Sequence, residues 1–230
     1  MNIKRKQLKR TFIALILLFI SFSVYVLVVS RNSKQMTIKQ KLLKAIYPAF
    51  MWWRNSSANE ESILSNKRSV PVISFYSLKD TTITGEPFDF GLLKGKKVLL
   101  VNTASDCGFT GQYDELEKLY RRYKEKLVVI GFPANDFKEQ EKGTDEEISE
   151  FCKLNFGISF PLMKKSSVKK NDLQNEVFRW LTDPARNGWN KRGPVWNFSK
   201  YLVNEEGKLI NYFGPAISPM DKAVMKAIEE

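Results

Sequence analysis

Residues 11–30, TFIALILLFISFSVYVLVVS, carry no charged side chain, and a stretch of this length is enough to cross the hydrocarbon core of a bilayer as a helix. Such a segment cannot share a water-facing fold with its neighbours, so it divides the chain. We expect a basic tail over residues 1–10, a single-pass anchor over 11–30, a juxtamembrane segment and linker over 31–70, and one folded domain over 71–230. A cleaved signal peptide is the alternative, but its apolar region is usually shorter and ends in a small-residue site, which Val28-Val29-Ser30 matches poorly. Lys4, Arg5, Lys6, Lys9 and Arg10 before the run are balanced by Arg31, Lys34, Lys39, Lys41 and Lys44 after it. The positive-inside comparison nearly ties, and the expected orientation puts the N-terminus in the cytoplasm and the folded domain outside it.

The next segment, residues 36–54, mixes Lys with Leu42, Leu43, Ile46, Phe50, Trp52 and Trp53, which suits either a helix at the lipid headgroups or an ordinary helical spacer. Residues 55–69 are polar without helical periodicity and are expected to be linker. A net charge of +12 raises the question of nucleic acid, but residues 1–70 hold 13 Lys and Arg against two acids, while residues 71–230 hold 24 against 23. The basic excess therefore belongs to the membrane-proximal part, and no nucleic-acid partner is expected. The chain has no histidine and two cysteines, so the usual haem, zinc and copper ligands are scarce, and redox chemistry would have to run on sulfur without a bound cofactor or metal.

Residues 71–230 alternate strand and helix patterns, which predicts an α/β layer fold. Residues 97–104 form a β-branched apolar run, and residues 112–124 place Tyr113, Leu116, Leu119, Tyr120 and Tyr123 on one helical face. A second strand is predicted over 127–132, a helix opened by a capping box at Thr144 to Glu147, and another helix over 174–181. A hairpin over 201–212 turning at Asn204 to Gly207 precedes a last helix expected to be capped by Ser218 with Pro219 as its first residue.

Cys107 falls where the first strand hands over to the first helix, in Ala104-Ser105-Asp106-Cys107-Gly108-Phe109-Thr110. Unpaired amides and the positive end of a helix dipole stabilise a thiolate at such a junction, whereas the plain alternative is a buried core thiol. Here the sequence resembles the glutathione peroxidase family, over essentially residues 72–230. Three blocks carry the likeness: Val101 to Gly108 with Gln112, Tyr113 and Leu116 behind it; Gly131-Phe132-Pro133-Ala134-Asn135-Asp136-Phe137 with Gln140-Glu141; and Trp196-Asn197-Phe198.

The resemblance implies a thioredoxin-like fold that reduces hydrogen peroxide and organic hydroperoxides, with Cys107 as the peroxidatic residue and Gln140, Trp196 and Asn197 completing its tetrad. Amide and indole N–H groups are neutral donors that can hold a thiolate and a departing oxygen without titrating, although each of the three could also be explained by packing or a turn. Cys152 shares an apolar helix side with Ile148 and Phe151 and alone reads as a core cysteine. Its position matches the resolving cysteine of the two-cysteine, non-selenium branch, which implies a thioredoxin-type reductant rather than glutathione. Ala134 and Asp136 depart from the common family pattern, where cysteine and glutamine are frequent, and the stretch 174–195 lacks the insertion that supports tetramers, implying a monomeric domain.

A thioredoxin-type reductase would need a second thiol three residues after Cys107, where Thr110 stands, and the Thr-x-x-Cys associated with peroxiredoxins is replaced by Ala104. A non-enzymatic peroxide sensor passing its oxidation to a partner through Cys152 would use the same first step, and would differ by stalling after one oxidation.

Overall fold

The computed structural model describes residues 2–29, 31, 33, 35–55, 62–66 and 68–230. Two N-terminal helices, α1 (Asn2–Val29) and α2 (Ile38–Asn55), precede β1 (Ile63–Ser65), β2 (Lys79–Thr81), β3 (Pro87–Asp89) and β4 (Lys97–Thr103). Then follow α3 (Gln112–Arg122), β5 (Leu127–Pro133), α4 (Asp145–Phe156), α5 (Glu176–Thr182), α6 (Pro184–Asn187), β6 (Lys200–Val203), β7 (Leu209–Phe213) and α7 (Lys222–Glu229). The main sheet runs β1-β7-β6-β4-β5, with β4 and β5 parallel and the other pairings antiparallel.

Every residue of β4 is buried because both faces of the sheet are covered, the usual reason for an unbroken apolar strand. The two-residue alternation sends Leu99 and Val101 into a cluster with Leu116 and Leu119 of α3, Ile148 and Phe151 of α4, and Val224 and Ile228 of α7. Val98 and Leu100 join the other cluster with Phe178 and Leu181 of α5 and Phe75 and Phe90. This is a thioredoxin-like α/β fold.

Among the described residues one helix segment, Arg10–Val29, is long and apolar enough to span a membrane, and none of it is buried; a signal sequence near an N-terminus would have the same length and composition. The helix starts at Asn2, so the basic stretch expected to be a separate tail continues the same helix. Residues 63–65, expected to be linker, are an edge strand instead, pairing Ile63 with Phe213 and Ser65 with Asn211. Three residues carry no periodicity of their own, and their backbone is satisfied by the open edge of β7. Residues 56–61 and 67 of that expected linker lie outside the described residues.

The capping box opens α4 as expected, with Thr144 Oγ1 accepting from the Glu147 N–H at 3.3 Å and Glu147 Oε2 from the Thr144 N–H at 2.8 Å. The last helix differs from its expected start: Asp221 is the cap, accepting from the Ala223 N–H at 2.8 Å. Ser218 and Pro219 form the turn before it, closed by the Asp221 N–H on the Ser218 carbonyl.

Candidate active site

Three sequence-distant segments converge because of strand register. β4 and β5 are parallel with Thr103 opposite Pro133, so the loops that leave them, residues 104–111 and 134–144, emerge side by side. β6 is antiparallel to β4 with Lys200 opposite Val101, which sets residues 196–199 against the end of β4. The Asp106 N–H donates to the Gln140 carbonyl at 3.0 Å and joins the first two loops, while the Phe198 N–H donates to the Asn102 carbonyl at 2.6 Å and joins the third.

Cys107 sits in a run of tight turns rather than at the first turn of α3: the Thr110 N–H donates to the Cys107 carbonyl at 3.1 Å, and α3 begins at Gln112. Its sulfur accepts from the Phe109 N–H at 3.4 Å. Burial raises the thiol's pKa, and hydrogen bonds from the Phe109 amide and the Trp196 and Asn197 side chains oppose that rise, with Asp106 adding a small upward push. Asn197 is fully buried and donates through Nδ2 to Gln140 Oε1 at 3.0 Å, so Gln140 enters the group through Asn197. The Trp196 ring stacks at a tilt on Phe137, with centroids 5.6 Å apart, and lies under Lys138 Nζ at 5.8 Å. All four expected residues are therefore brought to one place.

Burial outweighs the amide that this strand-to-helix junction offers Cys107, and α2 packs over the same loop. Gln40 Nε2 donates to the Ser105 carbonyl at 3.2 Å, Lys39 pairs with Asp106 at 2.6 Å, and the Phe50 and Phe109 rings lie 5.4 Å apart. Tyr47 is buried and donates from its hydroxyl to Glu115 Oε2 at 2.9 Å. The segment expected at the headgroups or as a spacer is thus docked on the loop that carries Cys107, with Ile38, Trp52 and Trp53 on its exposed side. Gly111 makes this contact testable: a Cβ there would collide with the Tyr47 ring, while its φ of −58° suits any residue. Gly111→Ala should push α2 off the loop and speed alkylation of Cys107 by iodoacetamide several-fold at pH 7.5; an unchanged rate would show that α2 does not limit access.

Cys152 lies fully buried on α4, both cysteines are free, and burial pushes its thiol up to about 12, with the neighbouring Tyr113 hydroxyl opposing the rise. Asp136 does not face the thiol chemistry: its carboxylate accepts from Ser167 Oγ at 2.9 Å and the Val168 N–H at 2.6 Å. Three residues were not singled out from sequence. Glu141 is buried with its carboxyl pushed to about 7, chiefly by burial, with the neighbouring Ser105 opposing the rise. Asn102 and Lys200 lie under the Trp196-Asn197 turn, and the signal available for both was a polar residue inside an otherwise apolar strand.

A thioredoxin-like fold that presents one thiol to neutral N–H donors defines a cysteine-based redox protein. A family profile described as glutathione peroxidase matches residues 75–182. The glutathione peroxidase-like peroxiredoxin HYR1 of Saccharomyces cerevisiae is 45% identical over 157 residues, covering 68% of this chain and 94% of that protein. The glutathione peroxidase-like peroxiredoxin GPX5 of Chlamydomonas reinhardtii is 46% identical over 150 residues, covering 65% and 91%. Among solved structures, Trgpx in its apo form is 33% identical with a TM-score of 0.52, covering 69% of this chain and 97% of that one. A DsbF homologue from Corynebacterium diphtheriae, 15% identical with a TM-score of 0.54, covers 74% and 94% and shares the fold alone. This chain belongs to the glutathione peroxidase family and is a peroxidase, an oxidoreductase that reduces peroxides.

Proposed function

We propose that Cys107 is the peroxidatic residue of a two-cysteine thiol peroxidase. Its thiolate attacks the distal oxygen of a hydroperoxide, the O–O bond breaks, and water or an alcohol leaves with a proton while the sulfur becomes a sulfenic acid. The Trp196 indole and the Asn197 amide, held by Gln140, stabilise the thiolate and the departing oxygen. The Cys152 thiol then displaces water from the sulfenic acid to form a Cys107–Cys152 disulfide, which a thioredoxin-type dithiol reduces through a mixed disulfide. The observation that carries this reading is the geometry that brings the three segments together at Cys107: the Asp106 N–H on the Gln140 carbonyl at 3.0 Å, Asn197 Nδ2 on Gln140 Oε1 at 3.0 Å, and the Phe198 N–H on the Asn102 carbonyl at 2.6 Å.

A disulfide needs its Cα atoms within about 7 Å, and a helix-borne Cys152 reaches Cys107 through local opening of α4. Thr144→Ala removes one bond of the capping box at a cost of about 1 kcal/mol. The open population should rise roughly fivefold. Stopped-flow measurement should show disulfide formation speeding up with no change in the preceding oxidation; equal rates in both proteins would mean that α4 need not open.

With α1 as an uncleaved anchor, the catalytic domain works beside a bilayer, on the extracytoplasmic side, as a monomer against hydroperoxides of membrane lipids in oxidative stress. The test is turnover of the full-length protein in detergent micelles, supplied with a thioredoxin system or with glutathione and its reductase. Sustained turnover with thioredoxin supports the two-cysteine cycle. Turnover with glutathione alone selects a one-cysteine peroxidase, and a single oxidation without cycling selects a peroxide sensor.

A further inference from the structure

We infer that Lys200, together with Ser199 and Asn102, is a positioning residue for the peroxide step, holding the Trp196-Asn197 turn in the backbone shape that aims both side chains at Cys107. The inference rests on the reading of Trp196 and Asn197 as partners of that thiol. Phe198, the residue after them, has a φ of +67°, a left-handed conformation that a bulky side chain rarely adopts. Its ring is buried edge-on against Tyr113 at 5.2 Å, so the side chain cannot relax without losing its place in the core. Such a conformation persists only where the surroundings enforce it.

The enforcement is visible atom by atom. Lys200 Nζ donates to the Phe198 carbonyl at 2.7 Å and to the Gly214 carbonyl at 3.4 Å. The Trp196 carbonyl accepts from Ser199 Oγ at 2.9 Å and from Asn102 Nδ2 at 3.2 Å, while Asn102 Oδ1 accepts from the Ser199 N–H at 3.0 Å. Both carbonyls flanking Asn197 and Phe198 are therefore pinned by buried donors. Lys200 is fully buried and in no ion pair among the described residues, with Glu115 acting on its charge only from a distance. A methionine would fill the same space without the desolvation cost of an amine. What the amine adds is a pair of hydrogen bonds to the backbone of this turn.

The test uses the full-length protein in detergent, with two readouts: the second-order rate of Cys107 oxidation by hydrogen peroxide and the pH midpoint of its alkylation. Lys200→Met should slow oxidation at least about tenfold, since small misplacements of catalytic groups cost factors of this size, and should move the alkylation midpoint to higher pH. Ser199→Ala, a smaller change that keeps the core filled, should shift both readouts in the same direction and decides the matter if Lys200→Met does not fold. Val203→Ala, a cavity in the same strand, should lower thermal stability without moving either readout. Wild-type rates and midpoints in Lys200→Met and Ser199→Ala, alongside a slow Asn197→Ala, would overturn the inference while the reading of Asn197 stands. An unaffected Asn197→Ala would overturn that reading first, and a Val203→Ala as slow as Lys200→Met would reduce Lys200 to ordinary packing.

Discussion

Replacing Cys107 with serine is expected to lower peroxide turnover at least about a thousandfold, the scale on which enzymes lose activity when their nucleophile is removed. Serine keeps the shape of the loop but its hydroxyl does not ionise in the range where thiols do, so the Phe109 amide and the Trp196 and Asn197 donors are left with nothing to stabilise. Cys152→Ser separates the two halves of the cycle. Its first oxidation by peroxide should proceed at the wild-type rate, because Cys152 lies inside α4 and is absent from the groups that set the Cys107 pKa. Turnover with thioredoxin should then fail and Cys107 should pass to sulfinic acid under excess peroxide, which mass spectrometry would record. Full turnover in Cys152→Ser would make that residue structural.

The stability of the folded domain should pass through a minimum near neutral pH. Burial depresses the Lys200 amine from 10.5 to about 7, and Glu115 opposes this only partly. Between those values the unfolded chain binds a proton that the native state does not, so stability rises as pH rises from 7 towards 10.5; below pH 7 the native state carries the full cost, up to about 5 kcal/mol. Glu141 acts in the opposite sense on the acid side. Burial raises its carboxyl from 4.5 to about 7, with Asp106 adding to the rise and Ser105 and Lys165 opposing it. The native state therefore keeps a proton that the unfolded chain has lost, and stability falls by up to about 3 kcal/mol as pH rises from 4.5 to 7. Above pH 9 the Cys152 thiol, pushed to about 12, turns the curve down again, so the window to measure is pH 5 to 9. Unfolding midpoints across that window should show the trough in the wild type, lose its alkaline arm in Lys200→Met and lose its acid arm in Glu141→Gln. A flat wild-type profile would mean that both groups find solvation in the native state.

Much of this molecule is readable in one dimension because the signals are local. The apolar run that becomes β4, the helical face of α3, the capping box of α4 and the turn at Asn204 to Gly207 each depend on residues within a dozen positions of one another. The three motif blocks around Cys107, Gln140 and Asn197 were legible as a set through their resemblance to one family. The errors share a cause as well. β1 has no pattern of its own and exists because β7 offers an edge, and α7 is capped by Asp221 rather than Ser218 because Ser218 is taken up in a turn and bonded to Glu115.

The sequence by itself determined the α/β class of the fold and the single uncharged run at the N-terminus, since these follow from residue type and short-range order, and its resemblance to one family singled out Cys107 as the candidate sulfur. Tertiary structure alone decided the environment of that sulfur. Strand register carries residues 89 positions apart to within reach of one thiol, α2 folds back to bury the loop, and the left-handed Phe198 is held by a lysine whose carbonyl partners lie on two different segments. Burial and hydrogen-bond direction are properties of the whole packed chain, and they set the protonation of Cys107, Glu141 and Lys200 in ways that no local pattern encodes.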